Sequence, residues 1–235
     1  MSKRFYKEAA AAPVDGGFAV ELDGRAVKTP AGQPLVLPTR ALADAVAAEW
    51  NAQGDDIDPK SMSLMPLCGT ALDRVPEVRD GLIEGLLRYA GTDLLCHRAA
   101  HPEDLAKRQD EAWQPLLDWA ADELGARLTP VEGVIAVDQD PAAIAAFKVV
   151  LDSFDNWALT ALGELVGISG SLVVGLAMAK GRIDVDAAFN VCHVDEDHQR
   201  ELWGEDAEAT ARRAGVRADL ETAYRFLTLS RERAD

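Results

Sequence analysis

The hydrophobic period of this chain changes once along its length, and that change limits the folds open to it. In the first forty residues the apolar side chains come in short, partly alternating runs, as pleated strands require. Phe18-Ala19-Val20-Glu21-Leu22 is one such run, and Arg25-Ala26-Val27-Lys28-Thr29 returns from it across Asp23-Gly24, a dipeptide suited to a two-residue hairpin. Pro30-Ala31-Gly32 marks a further turn, and Leu35-Val36-Leu37 a third strand. Thr39 then reads as the N-cap of a helix. Leu42, Val46 and Trp50 share one face of it, with Ala43 and Ala47 beside them. Asp55 to Pro66 has two prolines and little periodicity, which predicts a linker or loop and a domain boundary there.

From about Leu67 onward the spacing is helical. Val78, Leu82, Leu86 and Ala90 form one stripe. A helix opens at His101-Pro102-Glu103 and runs to Leu124, with Pro115 expected to kink or split it. Asp140-Pro141 pairs an N-cap with proline at the first helical position. Ser171 to Lys180 is apolar nearly all round, which predicts a central buried helix capped by Ser169 or Ser171. A helix is expected over residues 185–203, ended by Gly204, and two more after it, separated at Gly215. The expectation is an α+β chain: a small β-rich N-terminal domain with one helix over residues 1–66, and a larger all-helical domain over 67–235. Trp50, at the end of its stripe beside the boundary, is expected to pack one domain on the other.

Charge narrows the partners. The formal net charge is −16, which opposes binding to phosphate backbones and anionic membranes. It is unevenly spread: residues 1–40 carry six Lys/Arg and four Asp/Glu, while residues 181–210 carry two Arg and nine Asp/Glu. The acidic stretch suits either a solvated helix face or the steering of a basic protein surface. Three well-separated cysteines, Cys68, Cys96 and Cys192, fit free thiols in a reducing compartment. The basic start lacks the apolar segment of a secretory signal, and no apolar run approaches a membrane span.

The residues that could carry chemistry form incomplete sets. Cys96, His97 and His101 cluster, but Pro102 disfavours one continuous helix across them and no glutamate stands as in H-E-x-x-H. His193 and Asp197 lack a third ligand on their face. Gly167-Ile168-Ser169-Gly170-Ser171 has its second glycine one place early for a nucleophile elbow. Neither phosphate-binding glycine motif occurs. No metal, nucleotide or other cofactor is therefore expected; a hydrolase or metalloenzyme using His97/His101 or Ser169 is the alternative. One constellation differs in kind. Cys192, Glu196, Gln199 and Trp203 recur at helical spacing along residues 185–203. A carboxylate and an amide in such a stripe could be a buried pair that fixes packing or the polar anchor of a recognition surface. The periodicity leaves both open.

Taken in order, a set of motifs resembles one family. They are Arg4-Phe5-Tyr6-Lys7, Leu22 to Pro30, Ala48-Glu49-Trp50 with Gln53, and Thr70-Ala71-Leu72-Asp73. Further on come Thr92-Asp93-Leu94-Leu95-Cys96 with Arg98, Gln109 to Trp119, Ser169-Gly170-Ser171, Asp195-Glu196 with Gln199, and Trp203 to Glu208. Together they resemble the assembly chaperone for the alpha subunit of the ATP synthase catalytic head, found in mitochondria and some bacteria. The resemblance implies a β-rich domain followed by a helical one. It implies binding without turnover, in the bacterial cytoplasm or mitochondrial matrix; a monomer is expected, with a weak dimer left open by the sequence. It further implies that the alpha subunit is held until the beta subunit replaces it. Glu196 is implied as the functional carboxylate, with Asp195, Gln199, Trp203, Glu205 and Asp206 around it, while Trp50 and Asp93 are expected to be structural. A general peptide-binding chaperone remains a further possibility.

Overall fold

The computed structural model describes residues 2–133, 135 and 137–231. It is α+β, and its residues cluster into two compact units. The first holds the described residues of Met1–Arg79, Asn156–Ala161 and Arg225–Asp235, and the second those of Asp80–Asp155 and Leu162–Tyr224. The sequence-based cut at residue 66 falls inside the first unit, which also takes up two later helical stretches that no break in periodicity announces.

In the first unit, β1 (Ser2–Lys3) precedes a small antiparallel sheet of β2 (Ala9–Val14), β3 (Gly17–Leu22), β4 (Arg25–Ala26) and β5 (Val36–Leu37). Strand β3 is its centre. It pairs with β2 from Ala9↔Leu22 to Val14↔Gly17, with β4 at Leu22↔Arg25, and with β5 at Phe18↔Leu37. Asp23 and Gly24 both adopt positive φ (48° and 77°), as the predicted hairpin turn demands. Gly17 is required by proximity: a Cβ there would lie 2.2 Å from the Leu37 carbonyl oxygen. Helix α1 (Arg40–Asn51), N-capped by Thr39, lays Leu42, Ala43, Val46 and Ala47 on β2 and β3. The predicted loop at 55–66 is more ordered than its prolines suggest. Strand β6 (Asp56–Ile57) pairs with β1, a 3₁₀ turn spans Pro59–Ser61, and α2 (Leu64–Gly69) begins at Leu64. The Glu49 carboxylate accepts from the backbone N–H groups of Leu64 (2.7 Å) and Met65 (3.0 Å), capping α2 from outside.

A π-helical turn, Thr70–Arg74, joins α2 to α3 (Val75–Gly91). After a 3₁₀ turn (Leu94–Cys96) come β7 (His97–Arg98), α4 (Glu103–Leu124), β8 (Val131–Glu132), α5 (Pro141–Asp152), α6 (Asn156–Ser169), α7 (Leu172–Ala179), α8 (Val185–Cys192), α9 (Val194–Trp203) and α10 (Ala207–Arg231). Strands β7 and β8 pair in parallel. No helix of the described residues is long and apolar enough to cross a membrane.

Three helix predictions are corrected. Pro115 does not split α4; it is exposed, so the carbonyl it leaves without a donor is open to water. Gly215 does not divide α10, because the roughly 1 kcal/mol it costs relative to alanine is small against 25 helical residues. The helix expected over 185–203 breaks at His193, whose φ and ψ are −115° and 19°. The His193 ring stacks on Phe189 at 4.0 Å, and its Nδ1 lies 2.7 Å from the Phe189 carbonyl oxygen. The side chain thus competes for a carbonyl the continuing helix would use.

All eight residues of α7 are buried, and a Cβ at Gly175 would lie 2.6 Å from Val166 Cγ2, so α7 sits close against α6. Ser171 caps α7 by accepting from Val174 N–H (3.0 Å). Beneath that cap is Asp93, fully buried. Its carboxylate accepts from Ser171 Oγ (2.7 Å), Val173 N–H (3.2 Å) and Leu95 N–H (3.1 Å). One side chain thereby caps both α7 and the 3₁₀ turn.

Trp113 is 1% exposed and donates from Nε1 to the Val191 carbonyl (2.8 Å). Trp50 is only half-buried and packs edge-on against Tyr6 at 5.7 Å within its own unit; its Nε1 has no hydrogen-bond partner among the described residues. Trp113→Ala is therefore expected to cost about 3–5 kcal/mol and Trp50→Ala clearly less. Thermal melts of the two variants rank them, and a Trp50→Ala midpoint at or below that of Trp113→Ala would contradict this. Asp93 supplies a pH test. Burial pushes its carboxyl up from 3.8 to about 6, against the opposing hydrogen bonds from Ser171 and the backbone. Since the folded chain holds this proton more tightly than the unfolded one, the stability Asp93 lends is complete below about pH 4. It is lost as pH rises through about 6, by roughly 3 kcal/mol. Asp93→Asn cannot titrate, so urea melts from pH 4 to 7 should show the gap between parent and variant changing by that amount. Parallel curves would mean that Asp93 stays ionised.

Candidate functional site

Helix α9 packs on α4, and its inner side is fastened by polar groups. Gln109 on α4 is 1% exposed. Its Oε1 accepts from Ala99 N–H (2.7 Å), and its Nε2 donates to Asp195 Oδ1 (2.6 Å). One turn on, buried His198 places Nε2 3.0 Å from Asp104 Oδ2, a contact that holds the Asp104 carboxyl below its ordinary value. Arg108 pairs with Glu201 at 2.7 Å; the guanidinium lowers the Glu201 carboxyl and is itself raised. From α10, Arg213 reaches Glu196 (3.2 Å) and Asp197 (2.8 Å) while lying over the Phe189 ring. Nearby, the Arg98 side chain, 10% exposed, lies over Trp113 and 3.9 Å from Asp110; burial lowers its guanidinium.

The six predicted recognition residues separate into two sets. Asp195 faces inward onto Gln109, and Asp206 caps α10 by accepting from Ala209 N–H (3.0 Å). Glu196 is about half exposed and paired with Arg213, while Gln199, Trp203 and Glu205 are exposed. The stripe Cys192/Glu196/Gln199/Trp203 crosses the break at His193, which leaves Cys192 in α8 and the other three residues in α9. Glu196 has His193 at 3.8 Å and Arg213 at 3.2 Å as its charged or polar neighbours. Sequence reasoning missed Leu202, 60% exposed beside Trp203, and the tethers Arg213 and His198. Gln109 stood inside a quoted motif without a role.

The candidates for enzyme chemistry have structural surroundings. Ser169 is buried and donates to the Ser171 carbonyl (3.1 Å). His97 Nδ1 lies 3.4 Å from the Gly133 carbonyl oxygen, and His101 is exposed. Cys96 is buried, and burial pushes its thiol and that of Cys192 up to about 12. Among the described residues no three His, Cys, Asp or Glu side chains are grouped to hold a metal.

Gln109→Ala would free Asp195 and leave the Ala99 N–H without its acceptor. A loss of about 1–3 kcal/mol is expected, with faster amide exchange at the start of α9. Unchanged exchange there would show that Gln109 does not fasten the helix.

The sequence profile described as ATP12 chaperone protein matches residues 3–121. The mitochondrial protein atp12 of Schizosaccharomyces pombe is 26% identical over 214 residues, covering 86% of this chain and 74% of that one. The crystal structure of Atp12 from Paracoccus denitrificans superimposes with a TM-score of 0.93 at 43% identity, covering 98% of this chain and 99% of the other. A crystal structure from Agrobacterium tumefaciens gives 0.90 at 44% identity, covering 96% and 85%. With half its length matched by the profile and nearly all of it by homologous structures, the chain belongs to the ATP12 chaperone family.

Proposed function

We infer that this chaperone holds the unassembled alpha subunit of the ATP synthase catalytic head and covers its subunit interface until the beta subunit takes that position. It acts by binding, without turnover, in the bacterial cytoplasm or the mitochondrial matrix. The observation that carries the reading is the state of α9: an acidic helix fastened along its inner side, with Gln199, Trp203 and half of Glu196 left to solvent. Subunits of an alternating ring expose apolar faces before they assemble, and such faces aggregate. A holder that must later be displaced needs contact by charge complementarity as well as by apolar area.

Glu196 suits that task because its release is cheap. If a client lysine or arginine takes its carboxylate, Arg213 keeps Asp197 at 2.8 Å. Tagged protein recovered from its own cell should carry the alpha subunit as its dominant partner, and a broad set of unrelated proteins instead would overturn the reading. Glu196→Gln should change stability by no more than about 1 kcal/mol, because the carboxylate is half in water and the more buried Arg213 keeps Asp197. It should weaken alpha-subunit binding by roughly 2–5 kcal/mol if the pair is desolvated in the complex. A destabilised variant that still binds normally would assign Glu196 to folding.

A further inference from the structure

Leu202 and Trp203 end α9 with their side chains in water, 60% and 78% exposed. A single exposed apolar residue is ordinary, but these two are adjacent and stand in a particular setting. The run Glu201-Leu202-Trp203-Gly204-Glu205-Asp206-Ala207-Glu208 holds four carboxylates and no cation, and all eight residues are exposed. Gly204, at φ 86°, turns the chain out of the helix, and a Cβ there would meet nothing within 4 Å. The base of the run is tied to α4 and α10. Gln109, Asp104, Arg108 and Arg213 hold Asp195, His198, Glu201, Glu196 and Asp197. A tryptophan on a fixed helix loses little freedom when it is buried by a partner, which is the condition under which aromatic anchors dominate binding.

The charge around it says what kind of partner fits. Glu201 is occupied by Arg108, Glu205 has among the described residues only the longer 3.8 Å contact with Arg200, and Asp206 caps α10. The rim of the apolar pair is thus negative and incompletely neutralised, in a chain of net charge −16. Such a rim repels an anionic membrane and an acidic protein, and complements a cationic one.

We propose that Leu202 and Trp203 are the apolar anchor of the client contact, entering an apolar pocket rimmed by lysine or arginine side chains on a folded subunit. This rests on the alpha-subunit reading and deepens it: affinity comes from the anchor, while the carboxylates set the approach and its salt dependence. Arg213 and Gln109 are positioning residues for the anchor.

The test titrates purified alpha subunit against the full-length chain and three variants. Trp203→Ala should weaken binding about 30-fold or more with an unchanged melting temperature and an unchanged salt slope. Trp203→Phe should recover part of the loss. Val149→Ala, at a residue 71% exposed on α5, should bind within about twofold of the parent, within the usual range for a residue outside the contact. The fluorescence difference between parent and Trp203→Phe should shift to shorter wavelength and lose its acrylamide quenching when the alpha subunit is added. Binding by parent and Trp203→Ala within about threefold of each other overturns this inference while leaving the client reading standing. No binding by the parent overturns both. Concentration-dependent dimers of the chain alone that Trp203→Ala abolishes would show a second copy as the occupant, and would overturn it as well.

Discussion

A carboxylate with no access to water is the point on which the second unit is built. Asp93 accepts from Ser171, Val173 and Leu95, and thereby satisfies donors at the start of two elements at once. Helix α7 has no exposed residue, so water cannot serve its orphan N–H groups, and unpaired donors in that position are costly. Ser171 alone satisfies Val174 N–H; a second, two-oxygen acceptor is needed for the rest. Leu94 N–H also reaches the Gly170 carbonyl (3.2 Å), closing the loop before α7 against the turn that carries Asp93. The desolvation of Asp93 is the cost of that arrangement, and the elevated carboxyl expresses it.

From α7 the order propagates outward. Helix α4 packs on α7 and α9 packs on α4. Trp113 on α4 is tied to Val191 at the end of α8, just before the break at His193 that starts α9. The exposed end of α9 is therefore held by a series of contacts that becomes progressively more polar: apolar at α7, a buried tryptophan and glutamine on α4, and ion pairs at the surface. Exposed ion pairs contribute little stability singly, but here they act on a helix whose position is already set, and they decide its orientation more than its existence.

Much of this architecture was legible in the sequence, and the reasons it was legible are local. The hairpin at Asp23-Gly24, the caps Thr39 and Asp140, and the all-apolar run of α7, with Ser169 or Ser171 at its start, are each properties of a few adjacent residues. What was not legible depends on partners far away in the chain. The break at His193 follows from a ring that stacks on Phe189 and engages its carbonyl, and residue spacing carries no sign of it. The alanines of β2 look like a featureless stretch until Leu22, Val20 and their neighbours supply the strand opposite. The first unit recruits residues 156–161 and 225–231 from chain more than seventy residues beyond Arg79. Around the candidate site, the helix that carries Glu196, Gln199 and Trp203 was legible and the contacts of its residues were not. Asp195 and Glu196 are neighbours in sequence, yet one is spent on buried Gln109 and the other is half in water.

That last contrast bears on how a displaceable holder can be made from a rigid helix. A recognition element must be ordered before binding if it is not to lose affinity to its own freezing, yet the groups that order it must not be the groups that bind. In α9 the inward residues Asp195 and His198 fasten the helix, while the outward Gln199, Leu202 and Trp203 are exposed. Glu196 and Asp197 stand between, sharing one arginine. If a client cation took Glu196, Arg213 would stay on the helix through Asp197. On the proposed reading, the inward contacts of Asp195 and His198 would keep α9 oriented whichever partner Glu196 takes.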